Sequence, residues 1–204
     1  MQAIGLCRFS YPAFGGFQIK HKTIDERIQF LYAEDRLEER FRLFEHVALP
    51  CMKAQTNENW EMIVVIGVSL PKHHADRLQD VVANSPQITV QIHEPRPQRE
   101  IMKEILNRAR KDPSEPCLQF RYDDDDAVAV DFIARLYEAV DDCAPLNARH
   151  PVVGYVDLSR FDAAPLIAFT ATKETDYGTE TDERIPQGCG AYRADQRADT
   201  QTGG

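Results

Sequence analysis

The chain has 204 residues, 43% hydrophobic and 28% charged, so it can bury a core and its composition is not that of a disordered segment. A formal net charge of −9 lacks the basic footprint that nucleic-acid phosphates require, which argues against a nucleic-acid partner. Five scattered cysteines (Cys7, Cys51, Cys117, Cys143, Cys189) with no CxxC pair suggest reduced thiols in a cytoplasmic chain; there is no signal-peptide pattern and no apolar run of ~18 residues to make a transmembrane segment.

Ala3-Ile4-Gly5-Leu6-Cys7 reads as a first strand, with Arg8-Phe9-Ser10 at its carboxyl end and a loop over Tyr11 to Lys22. Asp35 to Val47 predicts a helix, capped by Asp35, with Leu37, Phe41, Phe44 and Ala48 on one face; Pro50 should end or bend it. The near-continuous apolar run Glu61–Ile66 fits a buried parallel strand. A helix to about Ala83 follows, with Ser69 as its cap and Pro71 in its first turn. Ile88–Ile92 alternates as a third strand, and Arg99–Arg110 is helical in period. Cys117–Tyr122 is a fourth strand, and a helix is predicted from Ala127 to about Asp142. Val152–Leu158 and Leu166–Thr170 are further strand candidates. The β-α alternation predicts an α/β fold, a mainly parallel sheet with helices on both faces.

Four aspartates, Asp123 to Asp126, stand at the carboxyl end of the fourth strand, where open α/β sheets place ligands. At ~4 Å and an effective dielectric near 20, each like-charge pair costs about 4 kcal/mol, so the cluster calls for water, shared protons or a cation. In extended backbone Asp123 and Asp125 share one side, and Asp124 and Asp126 the other. Asp126 can instead cap the helix that follows. Their hard oxygens suit Mg²⁺ or Mn²⁺, which can bind a substrate diphosphate and neutralise it as it leaves.

The stretch LQFRYDDDDAVAVDFI resembles the DxD region of GT-A nucleotide-sugar glycosyltransferases, and most of all the bacterial putative rhamnosyltransferase family. Gly5–Ser10, Arg40–Glu45, Leu49–Thr56 (with Cys51 where serine is expected) and Ile105–Ala109 resemble that family in the same order, over roughly residues 3 to 145; Ile185–Tyr192 matches loosely. The resemblance implies a GT-A-like (Rossmann-like) domain over 1–193, with a nucleotide-sugar-binding half (1–126), a partial acceptor half (127–193) and a disordered tail (194–204). It implies a metal-dependent transferase moving a sugar, with rhamnose suggested by the family label, from a nucleotide-diphosphate donor to a glycan or other hydroxyl acceptor. Peripheral membrane association is compatible with it. Asp123 would contact the ribose or the metal, and Asp125 would be the main Mn²⁺ or Mg²⁺ ligand. Asp124 and Asp126 would cap or touch the donor sugar. Arg8 and Ser10 would hold the nucleotide, and Asn107 or Arg108 would reach the diphosphate or the donor sugar. Family members are longer, so a C-terminal truncation is expected, which would remove acceptor contacts and a third metal ligand.

The catalytic base is open among Asp157, Glu174, Asp176 and Asp182. His46, His73 and His74 read as surface or helix-end residues, and His150 as the histidine nearest a site. Three other readings stand beside the transferase. One is a non-catalytic remnant that binds a nucleotide-sugar. Another is a haloacid-dehalogenase-like phosphohydrolase, from Asp124-Asp125-Asp126-Ala127-Val128. The third is a calcium module, which lacks the ligand spacing of an EF-hand.

Overall fold

The structure is a computed structural model that describes residues 1–15, 21, 23–112, 115, 117–147, 154–157 and 166–170, the last two ranges and 141–147 as backbone. Four parallel strands form its centre: β1 (Gln2–Arg8), β2 (Glu61–Gly67), β3 (Ile88–His93) and β4 (Cys117–Arg121). β6 (Leu166–Thr170) runs antiparallel to β4, and β5 (Gly154–Asp157) antiparallel to β6, giving the order β3-β2-β1-β4-β6-β5. β2 is buried on both faces, which explains its unbroken apolar run.

The chain winds outward from β1 to β2 to β3, then returns to place β4 on the other side of β1. Crossovers of one hand must put their helices on opposite faces when the direction of winding reverses. Accordingly α5 (Gln98–Ala109) covers one face, packing Ile101, Met102, Ile105 and Leu106 on Ile4, Leu6, Ile63 and Val65. The other face carries α2 (Glu34–Leu43), α3 (Leu49–Lys53), α4 (Lys72–Val82) and α6 (Phe132–Asn147). Their Leu37, Phe41, Met52, Leu78 and Leu136, together with Phe44 between α2 and α3, meet Cys7, Val64 and Phe120. The reversal leaves a switch point between the carboxyl ends of β1 and β4.

Several local expectations need correction. A further helix, α1 (Ile24–Leu31), is capped by Thr23 Oγ1 accepting from Glu26 N at 3.1 Å; it buries no residue completely and so shows no apolar stripe. α2 starts one residue early at Glu34, and Ala33, not Asp35, holds the cap position. Pro71, not Ser69, is the N-cap of α4. Pro50 does not end its helix. The turn before it, Phe44–Ala48, widens to a π-helix in which Leu49 N–H reaches Phe44 O, and this accommodates a residue that has no N–H to give.

The largest difference lies after the aspartates. Ala127 to Asp131 is not helical, and α6 begins at Phe132. Buried Gln55 dictates this start. Its Oε1 accepts from Ile133 N at 2.9 Å, capping α6, while its Nε2 donates to Ala129 O at 2.8 Å; Thr56 N–H holds Val130 O.

Candidate active site at the sheet switch point

The aspartates fold into a tight turn, not an extended run. Asp126 N–H donates to Asp123 O at 3.2 Å, and Asp126 Oδ2 accepts from Asp123 N at 2.8 Å. Asp126 therefore caps this turn and not α6. The turn is anchored from below by Tyr122, whose hydroxyl lies 2.9 Å from both Ala48 O and Asp126 O.

The cations that offset the carboxylates include arginines. Asp123 lies between Arg8, at 3.4 Å, and Arg121, at 2.9 Å. Arg40 Nη1 stands 2.9 Å from both Asp124 Oδ1 and Asp125 Oδ2. Asp124 and Asp125 thus share a partner, and the expected pairing of Asp123 with Asp125 on one side is broken by the turn. Asp124 is 4% exposed, and burial pushes its carboxyl up to about 6 against the pull of Arg40, with Asp125 and Asp123 adding to the rise. Burial likewise raises Asp126. Burial lowers Arg40 less than Asp124 and Asp125 raise it, so the pair holds its proton on the guanidinium.

Around the turn lies a set of polar groups turned inward without partners. Arg8 Nε, Ser10 Oγ and Arg36 Nε are buried and make no hydrogen bond. Ser10 is also held at φ 51°, in the left-handed region that a residue with a Cβ enters at a cost. Buried polar groups are ordinarily satisfied, so these three donors near the switch point have hydrogen-bonding capacity left over. Burial and neighbouring Arg40 lower Arg36, and burial and neighbouring Arg8 lower Arg27. Both remain cations. Arg8, Arg40 and Arg121 pair with the turn, and Arg36 lies near enough to feel Asp124 and Asp125, whereas Arg27 donates to Ala13 O and Gly15 O.

Of the residues expected at the site, Arg8, Ser10 and Asp123 to Asp126 come together. Asn107 and Arg108 do not. They sit in the last turn of α5, which ends beside the amino end of β1: Gln2 Nε2 donates to Ala109 O, and Arg108 pairs with Glu104 at 2.7 Å. A helix that feeds a parallel strand must finish at the edge opposite that strand's carboxyl end. Arg36 and Arg40 escaped sequence reading. Their i, i+4 spacing beside the Leu37–Phe41 stripe is the signal that puts both on one side of α2. Asp157 closes β5 in register with Leu166, at the edge where β4 ends. Glu174, Asp176, Asp182, His150, Ile185–Tyr192 and the tail 194–204 lie outside the described residues.

In donor chemistry Asp123 and Asp125 suit Mg²⁺ or Mn²⁺, with Asp125 the more exposed of the two. Asp124, buried behind Arg40, is poorly placed for the nucleophile role that a phosphohydrolase would give it.

A mainly parallel sheet with helices on both faces and an acidic turn at its switch point defines a Rossmann-like α/β fold. The particular family follows from the sequence: the family described as "Putative rhamnosyl transferase" matches residues 2–161, and the chain belongs to it. Among solved structures the chain is similar to S. aureus TarS 1-349, at 13% identity and a TM-score of 0.39, over 74% of this chain and 33% of that one. The match therefore spans about a third of the chain in that structure. No curated protein matches it.

Proposed function

We propose that the chain is a glycosyltransferase whose acidic turn holds the diphosphate of a nucleotide-sugar donor through a divalent ion. The observation that supports this most is the set of unsatisfied donors, Arg8 Nε, Arg36 Nε and Ser10 Oγ, gathered beside Asp123–Asp126 at the sheet switch point. Diphosphate oxygens are acceptors, and each orphan is able to donate. In this reading Asp125, the more exposed acid, is the main metal ligand and Asp123, on the other side of the turn, contacts the ribose; Mg²⁺ or Mn²⁺ at Asp125 would neutralise charge on the departing diphosphate. The arginines would do three things: hold the carboxylates in place, draw the anionic donor in, and offset the negative charge that grows as the sugar leaves.

Transfer to a hydroxyl also needs a base. We assign Asp157 to it. Its backbone ends β5 at the edge where the acidic turn lies, two strands from β4, which is about 10 Å. The family description favours a deoxyhexose such as rhamnose as the sugar, with a glycan or other hydroxyl as acceptor. Turnover of a panel of nucleotide-sugars, read as nucleotide release with Mn²⁺ present, tests this reading. Asp157→Asn should lower release at least about a hundredfold while nucleotide affinity is kept. Equal turnover in the variant would remove Asp157 from the role. Nucleotide binding with no turnover of any sugar would favour a donor-binding remnant over an enzyme.

A further inference from the structure

Away from the switch point, the first turns of α2 and α4 meet at Glu34, His73 and His74. One potential ligand atom from each lies within 4.8 Å of the other two, and among the described residues no other group of three histidine, cysteine or acidic side chains is so arranged. His74 is 1% exposed and its ring is stacked on Phe41 at 5.5 Å. Its Nε2 faces Glu34 Oε2 at 3.2 Å, while its Nδ1 is buried with no partner. The polar contact of this buried imidazole is thus with a carboxylate 70% exposed, a side chain that packing does not hold in place. His73 turns its ring to within 4.0 Å of the His74 ring, although it is free to swing into solvent.

We propose that Glu34, His73 and His74 bind a divalent transition-metal ion of the zinc class, tying the first turn of α2 to the first turn of α4. Two imidazoles and one carboxylate form a borderline donor set that suits Zn²⁺ or Co²⁺ better than Mg²⁺, and three protein ligands leave a position for water. Ligand atoms around a tetrahedral zinc stand about 3.3 Å apart, given metal–ligand bonds near 2.0 Å. The set must therefore close by about 1.5 Å at most, and rotation of the exposed Glu34 and His73 side chains achieves this without moving buried His74. The positive ends of α2 and α4 both oppose a cation here; the charges of Glu34 and Asp35 in the first turn of α2 work the other way. The cations of α4 near the group are both engaged: Lys72 by Asp76 at 2.8 Å, and Arg77 by Glu38 at 2.7 Å and Glu45 at 2.9 Å. Since α2 also carries Arg36 and Arg40, an ion at its start would steady the helix that holds the acidic turn.

The test is a titration of the metal-stripped full chain with Co²⁺, followed by its visible absorption, with Zn²⁺ then used to displace it. A single saturable band of tetrahedral intensity is expected, and at a hundredfold excess over Kd the melting temperature should rise by about 5 °C. His73→Gln and Glu34→Gln alter exposed side chains and should keep the wild-type circular dichroism. Each should weaken Co²⁺ binding at least about tenfold. Absence of the band, or unchanged affinity in His73→Gln, overturns the proposal. So does a band lost in Asp125→Ala but kept in His73→Gln, because the ion would then sit on the aspartate turn.

Discussion

Asp124 is a buried acid that the fold would hold more easily as the neutral carboxyl. Its folded pKa of about 6 lies above the value near 3.9 expected in the unfolded chain. Between these values the unfolded state releases its proton first, so stability falls as pH rises from about 4 to 6 and stays lower above that. The shift corresponds to about 3 kcal/mol at most. Asp124→Asn removes this titration. Denaturant unfolding at pH 4 and pH 7 should show the wild type losing on the order of 2 kcal/mol more than the variant across that interval; parallel losses would mean that Asp124 is not the group responsible. The same residue shows where sequence reading stops. Four adjacent carboxylates announce a need for positive charge, but the chain does not say that Arg40, more than eighty positions away, supplies it to Asp124 and Asp125 together. Metal and arginine meet the same electrostatic demand, and only the fold shows that arginine is already there.

Elements were readable where a periodic apolar pattern faces a single partner. α5 and the Leu37–Phe41–Phe44 stripe are of that kind, and β2, buried on both faces, was readable instead from its unbroken apolar run. They fail where a distant side chain overrides local preference. Ala127 to Asp131 has a composition that helices accept, yet Gln55 takes the free N–H of Ile133 and the carbonyl of Ala129, and the helix starts five residues late. Gln55→Ala should leave these groups unsatisfied and destabilise the protein by about 2 kcal/mol, with faster amide exchange at Ile133. Protection of Ile133 equal to the wild type would show that the cap is not set by Gln55. In the sheet, Gly5 lies beside Phe120, and a Cβ there would come within 2.6 Å of its ring, which is in turn packed edge-on against Phe132 at 5.5 Å. Gly5→Ala should therefore cost about 1–3 kcal/mol in thermal or denaturant unfolding. A neutral result would mean that the Phe120 ring yields without strain.

For the whole molecule, the winding of the chain matters more than any one motif. Because β1 lies between β2 and β4, residues from its carboxyl end, from α2 and from the turn after β4 converge at one edge, and α5 is left to finish at the other. That arrangement brings Arg8, Ser10, Arg36 and Arg40 to the aspartates and takes Asn107 and Arg108 away. The chain belongs to the rhamnosyl transferase family, and the proposal that this edge holds a donor diphosphate at the acidic turn rests on that convergence. Calorimetric titration with UDP, dTDP and GDP, with and without Mn²⁺, tests it most directly. The account predicts that at least one of these nucleotides binds in the presence of Mn²⁺, and that Asp125→Ala weakens this binding at least about tenfold while keeping the wild-type circular dichroism. No binding by any of the three, or equal affinity in Asp125→Ala, would contradict it.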